Sequence, residues 1–160
     1  MQKDKINIYR ATKKDIPFLV ESDQEILDYH RNFDKRYKKG GALAPIYKKF
    51  ISRDIKKSNT YYYVVEKNEK SIGFFSFKIH KSTSIFILDK IAFLDTMYLQ
   101  KKYRGLGLGK MIFNYIVDIL KKKRIKKIEL LVDTKNKLGV SVWTSFGFKE
   151  VSKRMERNIL

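Results

Sequence analysis

The sequence predicts an α/β (α+β) domain, and three observations predict it. Short apolar runs of strand length alternate along the chain with longer stretches in which apolar residues recur at helical spacing. A glycine-rich turn, Tyr103-Arg104-Gly105-Leu106-Gly107-Leu108-Gly109-Lys110, joins one such run (Ala92 to Leu99) to one such stretch (Met111 to Lys123). At 160 residues and 43% hydrophobic content the chain can fill one core, so residues 1–160 read as a single domain.

Ile6 to Arg10 reads as the first strand, and Thr12 with Asp15 three residues on is a helix start of the capping-box kind. Phe18, Leu19, Ile26, Tyr29 and Phe33 then give one apolar helical face through about Asn32. Lys38-Lys39-Gly40-Gly41 breaks the chain, and Pro45 can open a second helix through Lys56 with Tyr47, Phe50 and Ile51 inward. Tyr61 to Lys67 and Ile72 to Ile79 flank Asn68-Glu69-Lys70-Ser71 as a hairpin. Ser82 to Asp89 either extends that sheet or forms a loop. Past the glycine turn, Leu108, Ile112, Tyr115, Ile116 and Ile119 make an apolar stripe that packs the third helix on the sheet. Ile128 to Asp133 alternates as a strand, a helix follows from Lys137 to Ser145, and Phe148 to Ile159 reads as two last strands or one bent one.

The formal net charge of +19 is carried mostly by lysine spread along the whole chain, which reads as solvated surface. A nucleic-acid reader would show arginine base contacts or a named recognition motif. The cluster Lys121-Lys122-Lys123-Arg124 ends a helix, where cations complement the dipole, although a positive field also steers anionic ligands. With no cysteine, and His30 and His80 the only imidazoles, no metal is expected. A charged N-terminus and short apolar runs argue against a leader or a membrane span, so a cytoplasmic location is expected. Assembly as a homodimer stays open.

Glycines feeding a helix make an anion site, because backbone N–H groups can close on a phosphate at the positive end of the dipole. The nucleoside-triphosphate loop does not fit: Lys110 follows Gly109 but precedes Met111 rather than Ser or Thr. Nor does the dinucleotide fingerprint, whose glycines are spaced differently and lie near the start of a βαβ unit. What remains, Arg104-x-x-Gly107-x-Gly109, resembles the Gln/Arg-x-x-Gly-x-Gly/Ala signature of the GNAT superfamily of acyl-CoA-dependent N-acetyltransferases. Leu94-Asp95-Thr96-Met97-Tyr98-Leu99, four residues before Tyr103-Arg104-Gly105, is similar to the superfamily's Ile-Glu-Asp-Leu-Tyr-Val strand and Pro-x-Tyr-Arg-Gly turn. Asn136-x-x-Gly139-x-x-x-Trp143-x-x-x-Gly147-Phe148 resembles its Asn-x-x-Ala-x-x-x-Tyr and closing Leu-Gly-Phe. The resemblance covers roughly the C-terminal half.

The resemblance implies a mixed, twisted sheet of about six or seven strands, splayed in the middle, with helices on both faces. It implies acetyl-CoA as cosubstrate, with no metal, and transfer to a primary amine of a small molecule or peptide by direct attack through a tetrahedral intermediate. The main chain of Met97 and Leu99 would pair with pantetheine and polarise the thioester carbonyl. Arg104, Gly105, Leu106, Gly107, Leu108, Gly109 and Lys110 would cradle the pyrophosphate. Asn136 either bonds the pantetheine arm or caps the following helix. Asp95 stands where many relatives carry a glutamate and is either the base, acting through water, or an ordinary sheet contact. Trp143 departs from the usual tyrosine and cannot supply a proton; it would either shape the acyl pocket or donate a hydrogen bond to sulfur, leaving Tyr98 as the nearest phenol. Glu21, Glu25 and Asp28 form an acidic stripe on the first helix, which either docks a cationic amine or serves the helix dipole, and His30 follows it. The competing class is an acyl-CoA-binding sensor without turnover, or a basic interaction module.

Overall fold

In a computed structural model, residues 5–82, 87 and 89–159 are described. Five strands form one sheet in the order β1-β2-β3-β4-β5. The elements run β1 (Ile6–Arg10), α1 (Ile16–His30), α2 (Ala44–Asp54), β2 (Thr60–Lys67), β3 (Lys70–Lys81), β4 (Lys90–Leu99), α3 (Leu108–Lys122), β5 (Ile128–Glu129) and α4 (Lys137–Ser145). Strands β1 to β4 are antiparallel neighbours, and β5 joins β4 in parallel, so the sheet is mixed.

Alternation along the strands separates two apolar layers. Phe75 and Phe77 of β3, with Ala92, Leu94 and Leu99 of β4, face Ile112, Ile116 and Leu120 of α3. Phe74 and Tyr98 point the other way, toward Leu19 and Val20 of α1 and Ile51 of α2. Thr12 and Asp15 do form the expected capping box, but it closes a short 3-10 turn at Lys13–Asp15 on which α1 is stacked. Asn68 (φ 49°) and Glu69 (φ 65°) both take left-handed backbone, so the β2–β3 turn is a tight two-residue one whose twist suits the flanking strands. The third helix starts earlier than the stretch expected from Met111, at Leu108 where its apolar stripe begins, with Gly107 as N-cap at φ 78°. Its end is closed by Arg124 in left-handed backbone and by the Ile125 N–H donating to Leu120, with Lys121 and Lys122 in the last turn.

Several expectations are corrected. Among the described residues, five strands stand in place of six or seven. The strand expected from Ile128 to Asp133 ends at Glu129, because its last pair is with Phe93 and β4 then diverges; Leu131 is 82% exposed. Residues 149–159 form no strand. Any strand through them would place Lys153 and Arg157 on the same face as Val151, Met155 and Ile159, leaving no continuous apolar strip to bury. Phe50 on α2 is exposed rather than buried. The stretch from Ser82 to Asp89 falls largely outside the described residues.

Candidate active site

The parting of β4 from β5 leaves a gap, and a bulge decides what faces it. Ala92 donates its N–H to Lys127, on the β5 side, whereas Gln100 donates to Ile72, on the β3 side. Residues eight apart on a regular strand would point the same way. They differ because Asp95 is an extra residue: Leu94 pairs with Phe77 and Thr96 with Ser76, consecutive on β3. Beyond the bulge, Met97 and Leu99 therefore direct their main-chain groups into the gap. The Leu99 carbonyl is met there by Arg104, whose Nε donates to it at 2.7 Å, tying the strand end to the glycine turn.

In that turn Gly105 (φ 77°) and Gly107 (φ 78°) are left-handed, and space lies open where a Cβ would stand on either. Met111 is the first residue of α3 whose N–H finds a backbone acceptor, Gly107. Among the described residues, none of the amides from Gly105 to Lys110 donates to another protein group. Six adjacent donors thus converge on solvent at the helix N-terminus, which suits a diphosphate. The Lys110 ammonium adds charge beside them, 4.8 Å from the Phe146 ring centre.

On the opposite face of the β4 bulge lies a cavity of ≈ 430 Å³. Helix α1 contributes Asp23, Ile26, Leu27 and His30; α2 contributes Tyr47, Phe50, Arg53 and Asp54; the strands contribute Tyr62, Ser76, Lys78, Asp95 and Thr96. Its three carboxylates differ in their surroundings. Asp54 accepts from Arg53 Nε at 2.8 Å and pairs with Lys57 at 2.7 Å, and the Arg53 bond foremost holds its carboxyl low. Asp95 is pushed up by burial but pairs with Lys78 at 3.2 Å, which works against the rise. Asp23 has no hydrogen bond or ion pair among the described residues, and burial first, then the Asp95 charge, raises it to about 7. Burial also lowers His30 below its ordinary value, so this imidazole is neutral at pH 7.

The remaining predicted positions separate clearly. Glu25 is exposed and accepts the hydroxyl of Tyr98, a buried phenol whose ionisation is pushed up by burial and by that bond. Asp28 accepts the Gly40 N–H at 2.8 Å, fixing the turn between α1 and α2. Of Glu25, Asp28 and His30 on α1, then, the first two tie the structure together and His30 alone lines the cavity. Asn136 is the N-cap of α4: its Oδ1 accepts the Gly139 N–H at 2.9 Å and the Tyr29 hydroxyl at 3.0 Å. Trp143 stands edge-on to Phe113, Phe146 and Phe148, half-buried between α3 and α4. Asp23 and Asp54 are not singled out by the sequence. For Asp23 a signal existed: it follows Leu19 by four and precedes Ile26 and Leu27, a carboxylate on the inward side of the helix.

A parted sheet edge, amides without protein acceptors opening the following helix, and a cavity across the strand all adjoin β4. The model of the Acetyltransferase (GNAT) family matches residues 18–148, and the chain belongs to that family. It is 27% identical over 143 residues to an uncharacterised N-acetyltransferase of Methanocaldococcus jannaschii, a match covering 89% of this chain and 60% of that one. The chain thus spans about 60% of the length of this curated relative. The fold is also that of the BH1408 protein of Bacillus halodurans (TM-score 0.85, 17% identity, 96% of this chain and 99% of that one). A predicted acetyltransferase of Clostridium acetobutylicum, solved with acetyl-CoA, is similar at TM-score 0.76 and 20% identity, covering 97% of each chain. Among the described residues no helix is long and apolar enough to cross a membrane.

Proposed function

We propose that this chain is an acetyl-CoA-dependent N-acetyltransferase whose acceptor is a primary amine bound in the cavity between α1, α2 and the β4 bulge. The observation that carries the reading is the run of unengaged amides from Gly105 to Lys110, contiguous with the parted edge of β4. Acetyl-CoA supplies an activated acyl carbon on a thioester. The amides and Arg104 hold its diphosphate, and the N–H groups of Met97 and Leu99 line its arm and stabilise negative charge on the carbonyl oxygen. The Asp95 bulge joins the two halves, because the strand that presents its amides to the gap presents its carboxylate to the cavity.

The aromatic walls of Tyr47, Phe50 and Tyr62 receive the body of the amine, and the carboxylates on the same lining draw its cationic end. Trp143 closes the acyl side by packing and donates no proton to the leaving sulfur. Tyr98 is committed to Glu25 and is a weaker acid than a free phenol. A thiol of pKa about 8.5 leaves tolerably unassisted near neutral pH, so turnover survives at a cost of ~10²-fold. The absence of cysteine fits a cytoplasmic setting.

Free thiol release from acetyl-CoA, followed with a panel of aliphatic, benzylic and peptide amines, tests the reading. Release above the hydrolysis background with at least one amine supports it. Trp143 in the usual tyrosine position favours a second reading, a sensor that binds acetyl-CoA without turnover, and tight binding with every amine left unconsumed would select it.

A further inference from the structure

We propose that Asp23 is the catalytic residue that takes the proton from the acceptor ammonium in the cavity, with Asp95 as the neighbour that maintains its readiness to do so. The inference rests on the acetyltransferase reading above and names a base within that site.

Three carboxylates line the cavity, and two already have cationic partners. Asp54 is held by Arg53 and Lys57, and Asp95 by Lys78. A carboxylate in an ion pair gives up that attraction when it takes a proton, so neither is suited to proton transfer. Asp23 faces the same space with no such partner. The groups turned toward it come from every wall. They are His30 on its own helix, Tyr47 and the Arg53–Asp54 pair on α2, Tyr62 on β2, Lys78 on β3 and Asp95 on β4, with Tyr37 at the mouth. The phenols of Tyr47 and Tyr62 stay neutral because burial raises both. The two cations face carboxylates of their own. Asp95 is therefore the charge that acts most directly on Asp23, and it acts to raise its proton affinity.

His30 is the other candidate, and burial decides between them. A proton placed on His30 creates a cation where burial penalises one. A proton placed on Asp23 discharges an anion where burial penalises that. Transfer to Asp23 relieves the site, and transfer to His30 strains it.

The step balances as follows. One proton passes from the acceptor nitrogen to an Asp23 carboxylate oxygen, leaving a neutral amine and a neutral carboxyl. The nitrogen lone pair then forms the C–N bond to the acetyl carbon, and the C–S bond breaks with its electron pair on sulfur. The second nitrogen proton goes through water to the thiolate, and Asp23 returns its own to solvent.

The test compares each amine the wild-type protein consumes with the hydrazine of the same shape, such as benzylamine with phenylhydrazine. The hydrazine is already neutral at pH 7 and needs no base. Asp23→Asn is expected to lower kcat/KM for the amine ~10²-fold while changing that for the hydrazine no more than about threefold, and to remove the acid limb near pH 7. Asp23→Glu should restore part of that limb. Asp95→Asn should keep the limb but move it to lower pH. Equal losses for amine and hydrazine would make Asp23 structural, and an unchanged limb in Asp23→Asn would remove it from the chemistry; either result overturns the assignment while the acetyltransferase reading stands. If the wild-type protein consumes no amine and no hydrazine, both fall together. Thermal unfolding of each variant separates loss of the base from loss of the fold.

Discussion

Replacing Asp23 by Asn should make the protein more stable, by an amount that depends on pH in a defined way. Asp23 ionises at about 7 in the fold, against an ordinary value of 3.8. Between these values the folded state carries a proton that the unfolded chain has released, so stability falls as pH rises across that window. Below about pH 4 both states are protonated and the side chain has no effect of this kind. Above about pH 7 both are ionised, and the full penalty for burying the charge is present. At 1.36 kcal/mol per pH unit, the rise corresponds to a penalty of up to about 4 kcal/mol. Asparagine has the same shape and no charge to bury, so its advantage should grow from near zero at pH 4 to that plateau above pH 7. For a domain of this length, this is a gain of roughly 10 °C in Tm at pH 8. Urea denaturation of both proteins at half-unit steps from pH 4 to pH 8.5 measures the difference directly. A stability difference that is constant across the range would show that Asp23 is not a half-buried, unpaired carboxylate, and the base assignment would lose its physical ground. Stabilisation combined with loss of turnover is the signature of a group held in an unfavourable setting for its chemistry.

Gly107→Ala forces a side chain onto φ 78° and should cost roughly 1 kcal/mol of stability, while displacing the amides of the turn enough to raise the Kd for coenzyme A about tenfold, read by calorimetry. Asn136→Ala removes the cap of α4 and the partner of the Tyr29 hydroxyl, and should lower stability by about 1–2 kcal/mol in thermal unfolding. Tyr98→Phe should lower Tm slightly through the lost bond to Glu25 yet leave kcat within about threefold, because that hydroxyl already donates to Glu25. A tenfold or larger fall in kcat would return Tyr98 to the mechanism. Arg104→Ala should weaken coenzyme A binding and flatten its dependence on salt, since one cation fewer then faces the diphosphate.

The stretch from Asp95 to Phe148 is legible because the contacts proposed for the acyl carrier are made by main chain. A left-handed turn at Gly107 has to be written into the sequence as glycine and leaves a mark at fixed spacing, whereas the bulge at Asp95 shows only in the pairing of β4 with β3. The tail was misread for the opposite reason: Val151, Met155 and Ile159 share the parity of a strand face, but Lys153 and Arg157 share it too. Apolar content alone does not bury a strand when every second inward position is a cation.

The acidic residues of α1 show where sequence periodicity stops being informative. Glu21, Glu25 and Asp28 stand out because they share a helical stripe, yet Glu25 accepts a tyrosine hydroxyl and Asp28 anchors a turn. Asp23 belongs to the inward side, where a carboxylate is costly and therefore more informative than any member of the stripe. What decides its role is the company supplied by other elements: a lysine from β3 that is occupied by Asp95, an arginine from α2 that is occupied by Asp54, and phenols that burial keeps neutral. None of these pairings can be read from spacing along one helix, since they depend on which residues of α2, β2, β3 and β4 the fold brings to one cavity. A protein with net charge +19 thus keeps, among the described residues, a cavity carboxylate without a cationic partner where the proposed acceptor would lose its proton.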